Sequence, residues 1–194
     1  MKGHASNPTG MMTGPAGGKS QPRQPSRPGE GVPREPALCG DLDMRIAKDG
    51  SWHYRGSPIG RLALVRLFAS VLRREDDGQY WLVTPAERGR VLVEDVPFTA
   101  VEVKAQGSGR DQRLVFRSNL DEEAIAGDDH PIRVETDPAS GTPRPYILIR
   151  DRLEARILRP VFYHLVELGE AEGDKFGVWS SGLFFPLGAL GPGF

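Results

Sequence analysis

Apolar positions recur at helical spacing along two stretches of this chain and alternate with polar ones along most of the rest. After Trp52, the residues Leu64, Val65, Phe68, Val71 and Leu72 share one helical face, and after Tyr146 so do Leu158, Phe162, Leu165 and Val166. Ser57 with Pro58 behind it reads as an N-cap and first helical position, and Asp151 with Glu154 three residues on reads as a capping box. Each predicted helix leads into an acidic turn, Glu75-Asp76-Asp77-Gly78 or Glu170-Ala171-Glu172-Gly173. Two short β-type runs follow each turn, 79–83 with 91–93 and 176–179 with 183–185, which read as hairpins. A shift of 94 positions lays Trp52 on Tyr146, Ser57 on Asp151, Leu64 on Leu158, Phe68 on Phe162 and Val71 on Leu165. The pattern is that of a strand-helix-hairpin unit used twice, with a cleft expected between the halves. Pro160 stands opposite Arg66 in this alignment, inside the second predicted helix, where a missing N–H predicts a kink.

Between the two units, Val101, Val103 and Ala105 alternate, Gly107-Ser108-Gly109 turns the chain, and Leu114 and Phe116 alternate again, the signature of a hairpin over 99–106 and 112–117. Further strands are expected at 132–135 and, after Pro143-Arg144-Pro145, at 146–150. The fold class is therefore α+β, a duplicated core in two domains at 39–100 and 101–194, the second enlarged by the extra strands. Residues 1–38 are Gly, Pro, Ser, Gln and Arg with almost no large apolar side chains, and read as a disordered tail. Within that tail, Gly14 to Ser20 imitates a phosphate loop, but Thr13 takes the first glycine position and neither a strand nor a helix flanks it. Met11 and Met12 leave the translation start open between Met1 and either of them.

At 194 residues, 38% hydrophobic and with a formal charge of −1, the chain reads as soluble, able to bury one or two small cores and without a membrane span. The lone Cys39 excludes an internal disulfide and a thiol pair for zinc, which fits a reducing cytoplasm. His4, His53, His130 and His164 share no metal spacing, so no metal is expected. Twenty of the 25 basic residues are arginine, yet acidic residues interleave with them and leave no stripe suited to nucleic acid. His130 after Asp128-Asp129 and the serines of Ser180-Ser181-Gly182 lack the surroundings of catalytic groups and read as turns.

One group stands out physically. Arg150, Arg152, Arg156 and Arg159 crowd the start of the second predicted helix, where the macrodipole disfavours cations and an anionic ligand would resolve the conflict. Arg61 near the first helix and Arg117 and Arg133 from neighbouring strands extend this phosphate-binding set. The competing account is a surface network in which Asp151, Glu154 and Glu135 supply the counter-charges. A base or ribose side is read at Thr84, Glu87, Glu94, Asp95 and Phe98, the carboxylates accepting hydrogen bonds and Phe98 stacking, with Asn119 and Tyr146 added to it. Thr84 and Glu87 are expected at one end of a short strand and Glu94-Asp95 at the other, so only one pair can face the cleft. Trp52, Trp81 and Trp179 read as core anchors.

The blocks Asp49 to Ile59, Leu67 to Leu72, Thr84-Pro85-Ala86-Glu87, Glu94 to Phe98, Phe116 to Leu120, His130 to Val134 and Pro145 to Arg150 occur in order. Together they resemble the bacterial family called domain of unknown function 1285, across the whole globular part, with Ser118 in place of an expected threonine. The resemblance implies a duplicated two-domain core whose C-terminal half is superficially like a pleckstrin-homology fold. It further implies a nucleotide-like ligand at the domain interface and a role in signalling, with a link to oxidative stress. It carries no catalytic residues. The leading reading is accordingly a cytoplasmic, non-catalytic sensor or adaptor for a small phosphate-bearing ligand, acting through a signalling protein. An enzyme with residues drawn from several loops, or a protein-interaction scaffold without a small ligand, stand as alternatives.

Overall fold

The computed structural model describes residues 36–190. The phosphate-loop-like segment, the alternative starts and the predicted tail up to residue 35 lie outside the described residues. The first part of the chain forms β1 (Ala37–Ile46), β2 (Trp52–Tyr54), β3 (Ser57–Pro58), α1 (Leu62–Ser70), β4 (Leu72–Arg74), β5 (Tyr80–Val83) and β6 (Glu87–Val93). Then come β7 (Phe98–Gln106), β8 (Arg113–Ser118), β9 (Glu123–Ile125), β10 (Ile132–Thr136), β11 (Pro143–Arg150) and β12 (Leu153–Ile157). After them follow α2 (Arg159–Glu167), β13 (Glu170–Glu172), β14 (Lys175–Ser180) and β15 (Leu183–Ala189).

The strands form two six-stranded sheets, ordered β3-β2-β1-β6-β5-β4 and β10-β11-β12-β7-β8-β9, and a three-stranded sheet, β13-β14-β15. All neighbours are antiparallel except β1 with β6 and β12 with β7, and those parallel pairs need long crossovers. Between β1 and β6 the crossover contains α1. The short segment 94–97 links β6 of the first sheet directly to β7 of the second. Buried residues of both sheets, among them Ile46, Trp52, Leu72, Phe98, Ile147 and Leu153, belong with Leu165 of α2 to one hydrophobic cluster. The architecture is strand-rich α+β, and the two helices each turn a narrow apolar face inward, Val65 with Ala69 and Val161 with Leu165.

The helices start later than the capping signals predict. Ser57-Pro58 pairs with Tyr54 and His53 as edge strand β3, a position in which proline sacrifices no needed N–H. Asp151 sits at φ 48° in the turn between β11 and β12, a left-handed conformation that short Asp tolerates. Glu154, read as the capping partner, is therefore in a strand. Arg61 and Leu158 are the true N-caps, neither with a side-chain hydrogen bond, and Pro160 lies in the first turn of α2, where it causes no kink. Tertiary strand pairing has overridden the local caps at both places. The order hairpin, helix, three strands nevertheless occurs twice, at β2-β3-α1-β4-β5-β6 and at β11-β12-α2-β13-β14-β15. A strand absent from the sequence reading, β1, begins at Ala37 and pairs along β6 from Glu87 to Val93.

Two glycines mark close approaches. A Cβ at Gly177 would collide with the backbone carbonyl of Phe185 across the β14–β15 pair, whereas one at Gly89 would meet only the side chain of Leu42. A side chain can rotate away and a paired backbone cannot. Gly177→Ala is expected to destabilise by about 1–3 kcal/mol, and Gly89→Ala by clearly less, as read from urea unfolding midpoints.

Candidate functional site

Strands β10, β11 and β12 lie side by side, and their antiparallel register sets Arg133 opposite Tyr146 and Tyr146 opposite Arg156. The three side chains share one face of the sheet. The tyrosine ring is flanked by the guanidinium groups, with Arg133 Cζ 4.1 Å and Arg156 Cζ 5.0 Å from its centroid. Its hydroxyl donates to Asp95 Oδ1 at 2.9 Å, and Arg156 Nη1 donates both to Asp95 Oδ2 at 2.9 Å and to the Tyr146 oxygen at 3.0 Å. Arg144 Nη2 approaches the same carboxylate at 3.6 Å. Burial, and then the hydrogen bond to Asp95, push the Tyr146 hydroxyl above its usual value, so it stays a donor.

Asp95, Arg144 and Arg156 of this cluster line a cleft of about 580 Å³ bounded by strands β11 and β12, the loop before β11 and the start of α2, with Tyr146 behind the wall. Lys48 and Asp95 come from the first half of the chain, and Asp137, Arg144, Arg156, Leu158, Arg159, Phe162 and Tyr163 from the second. Four cationic side chains thus face two carboxylates. The first turn of α2 opens on the cleft with no side-chain cap, and Phe162 and Tyr163 bring aromatic surface to its mouth, Tyr163 at 58% exposure. Among the described residues no carboxylate is paired with Lys48 or Arg159, whereas Asp137 is held by Ser140 and approached by Arg144 at 3.8 Å.

Of the residues read as a phosphate and base site, Asp95, Arg156 and Arg159 line the cleft, and Tyr146 backs it through its bond to Asp95. The others do not line it. Arg150 donates to Glu122 at 2.8 Å and to the Ala69 carbonyl at 2.6 Å, at the C-terminal end of α1, and lies over the Phe98 ring. Arg117 binds Glu102 and Asp121, Arg133 binds Glu154 and Glu135, and Arg152 binds Asp76. Arg61 is exposed at the N-cap of α1. The helix start that these arginines were expected to surround is at Arg159, eight residues beyond Asp151, which is why most of them surround strands instead. Phe98 is 0% exposed and cannot stack on a ligand. Thr84 holds the β5–β6 turn by bonding Glu87, at the far end of β6 from Asp95, and Glu94 binds Arg45 and the Lys48 amide. Asn119 spans the junction, accepting from the Thr99 amide at 3.1 Å and donating to the Gly50 carbonyl at 3.3 Å.

Models of two domains of unknown function cover nearly all of the described chain: the DUF1285 N-terminal domain matches residues 33–96 and the DUF1285 C-terminal domain residues 97–187. The chain belongs to the DUF1285 family. The family boundary falls within the linker that carries Asp95. A DUF1285 protein from Silicibacter pomeroyi DSS-3, of known crystal structure, is 51% identical over 80% of this chain and 85% of its own, with a TM-score of 0.77. A second, from Shewanella baltica OS155, is 25% identical over 66% of this chain and 91% of its own, with a TM-score of 0.52. No curated protein matches the chain.

Two further concavities of this DUF1285 protein differ from the cleft in charge. A groove of about 480 Å³ holds Arg74, Arg133 and Arg152 against Glu75, Asp76, Glu135, Asp151 and Glu154, an acidic excess that repels anions. A cavity of about 560 Å³ within the N-terminal domain balances Arg45 and Arg90 against Asp41 and Asp43. Of these three, the cleft at the start of α2 alone has cations in excess. No described helix is long and apolar enough to cross a membrane.

Several carboxylates at the surface lie below the usual carboxylate range: Glu94 chiefly through the Arg45 hydrogen bond, Glu102 through that of Arg117, and Asp137 through the backbone N–H of Ser140. A folded value below the unfolded one gives stability that is complete above the ordinary carboxylate range and is lost as pH falls through the depressed values. The Tm, followed by circular dichroism, should be level from pH 7 to about 5 and fall below about 4. Exposure keeps each contribution small, and Glu94→Gln should make the acid limb shallower.

Proposed function

We propose that this protein is a binding protein, a sensor or adaptor, whose interdomain cleft takes a small phosphate-bearing ligand of nucleotide type. The observation that carries this reading is the cleft itself: four cationic side chains against two carboxylates, at the uncapped first turn of α2, in a volume of about 580 Å³. That volume lies in the range of small-ligand sites, roughly 300–1,000 Å³. Guanidinium forks and free helical N–H groups are the donors that phosphate oxygens accept. Tyr163, exposed at the mouth, supplies the stacking surface sought at Phe98. Arg144, Arg156 and Arg159 hold the anion in this reading, and Asp137 and Tyr163 face the base or ribose.

The twice-used order of hairpin, helix and three strands supports an origin by duplication. The two three-stranded meanders β7-β8-β9 and β10-β11-β12, followed by α2, are the part that supports a pleckstrin-homology-like description of the C-terminal half. A second reading, as a protein-interaction scaffold, is favoured by α1. Leu62 and Leu67 are 47% and 61% exposed, and Tyr54 and Leu64 border an apolar cavity of about 440 Å³ beside that helix.

A thermal-shift titration of the full chain with nucleoside mono-, di- and triphosphates, dinucleotides and cyclic nucleotides tests the ligand reading. A ligand at a hundredfold over its Kd should add about 2.7 kcal/mol of stability. Arg144→Ala and Arg159→Ala should abolish the shift, whereas Arg133→Ala, outside the cleft, should lower the starting Tm and leave the shift. The absence of any shift across the series would turn the assignment to the scaffold.

A further inference from the structure

Asp95 occupies an unusual position in the cleft. It lies in the segment that links β6 to β7, and its side chain is only 11% exposed. Its carboxylate receives the Tyr146 hydroxyl at 2.9 Å and Arg156 Nη1 at 2.9 Å, with Arg144 Nη2 at 3.6 Å. A tyrosine hydroxyl and two guanidinium groups converging on one anion are a donor set suited to a phosphate. Both arginines also line the cavity, as does Asp95 itself. The linker on which Asp95 is carried is pinned on its other side by Glu94, which binds Arg45 and the amide of Lys48.

We infer that Asp95 is a resident stand-in for the ligand's anionic group, holding Arg144 and Arg156 and giving them up when a phosphate enters. The inference rests on the proposed phosphate-binding role of the cleft. A phosphate dianion presents more charge and more acceptor oxygens than a carboxylate, so it can compete for the same donors. Two anions on one pair of guanidinium groups repel, so the displaced carboxylate moves out and takes the linker 94–97 with it. Asp95 thereby sets the affinity of the site and selects for dianionic groups over singly charged ones. It also converts occupancy into movement of the covalent connection between the two domains, which is how a binding event in the cleft reaches the rest of the molecule.

The test compares the full wild-type chain with Asp95→Asn, which keeps an acceptor for Tyr146 and removes the charge. Inorganic phosphate and adenosine monophosphate are titrated calorimetrically into each at pH 7 and low salt. Asp95→Asn should bind at least about tenfold more tightly, because the resident competitor has gone. A second measurement, on the wild-type chain alone, is hydrogen exchange of peptides spanning 94–98, which should speed up when adenosine monophosphate is added. If the wild type binds but Asp95→Asn binds equally or more weakly, or if the linker becomes more protected, the stand-in role is overturned while the phosphate site stands. If neither protein binds either probe, the phosphate reading of the cleft fails, and the role of Asp95 fails with it.

Discussion

A guanidinium taken out of water must find a counter-charge, and that requirement organises the junction between the two DUF1285 domains. A buried arginine left without a partner is strongly destabilising, and partly buried Arg150 meets Glu122 within the second domain. Arg152 to Asp76 and Arg66 to Asp121 cross the junction at its exposed surface, where each pair contributes little. Arg150 goes further, since its second nitrogen satisfies the Ala69 carbonyl at the end of α1, one of the acceptors that a helix leaves without an internal partner. An arginine of the second domain thus finishes a helix of the first. Hydrophobic burial holds the shared core together, and the Arg150 bond to Ala69 ties its two halves across the junction.

The same requirement explains why the cleft has charge to spare. Where arginines outnumber carboxylates, the surplus must stay in reach of solvent or of a ligand, and the surplus is found at the α2 end of the junction, with Lys48 and Arg159. Tyr146 is central to this arrangement although it is buried. The strand register that puts it between Arg133 and Arg156 also divides the arginines, sending Arg133 to Glu154 on one side and Arg156 to Asp95 on the other. A slip of one residue in β11 would turn Tyr146 to the opposite face and dissolve both pairings.

Period-two alternation made much of the sheet legible in the sequence, because a half-buried strand records its two faces directly. The hairpins β5–β6, β7–β8 and β14–β15 were readable for that reason. Helix starts were not, because Ser57-Pro58 and Asp151 carry residues that suit a cap and a turn equally well, and only pairing with a distant strand decides between them. Strand β1 leaves a signal in the alternation of Leu42, Met44 and Ile46, which the polar stretch before it obscures. At the site, Asp95, Tyr146 and Arg156 were legible as chemistry but not as a group, since their meeting depends on register and on a linker fold that no local spacing encodes. Arg144, set between two prolines, was seen as the lead into a strand, although a charge fixed between two rigid residues is well suited to holding an anion. The misplaced start of α2 concealed Tyr163 and left Arg159 grouped with arginines that in fact serve other partners.

The charge division along the junction has a consequence for encounter. The chain as a whole carries a formal charge of −1, so a distant anion meets no general attraction. Near the surface the picture changes, because the groove at Arg74 and Arg152 has five carboxylates to three arginines and the cleft has four cations to two carboxylates. These sites belong to the same junction and are distinguished mainly by which strand end each arginine occupies. An anion is turned away from one and drawn to the other over a range set by the Debye length, about 8 Å at physiological salt. On the proposed reading, an anion would choose its position in this fold less by the shape of any one concavity than by the sign of the charge left over after the arginines are paired.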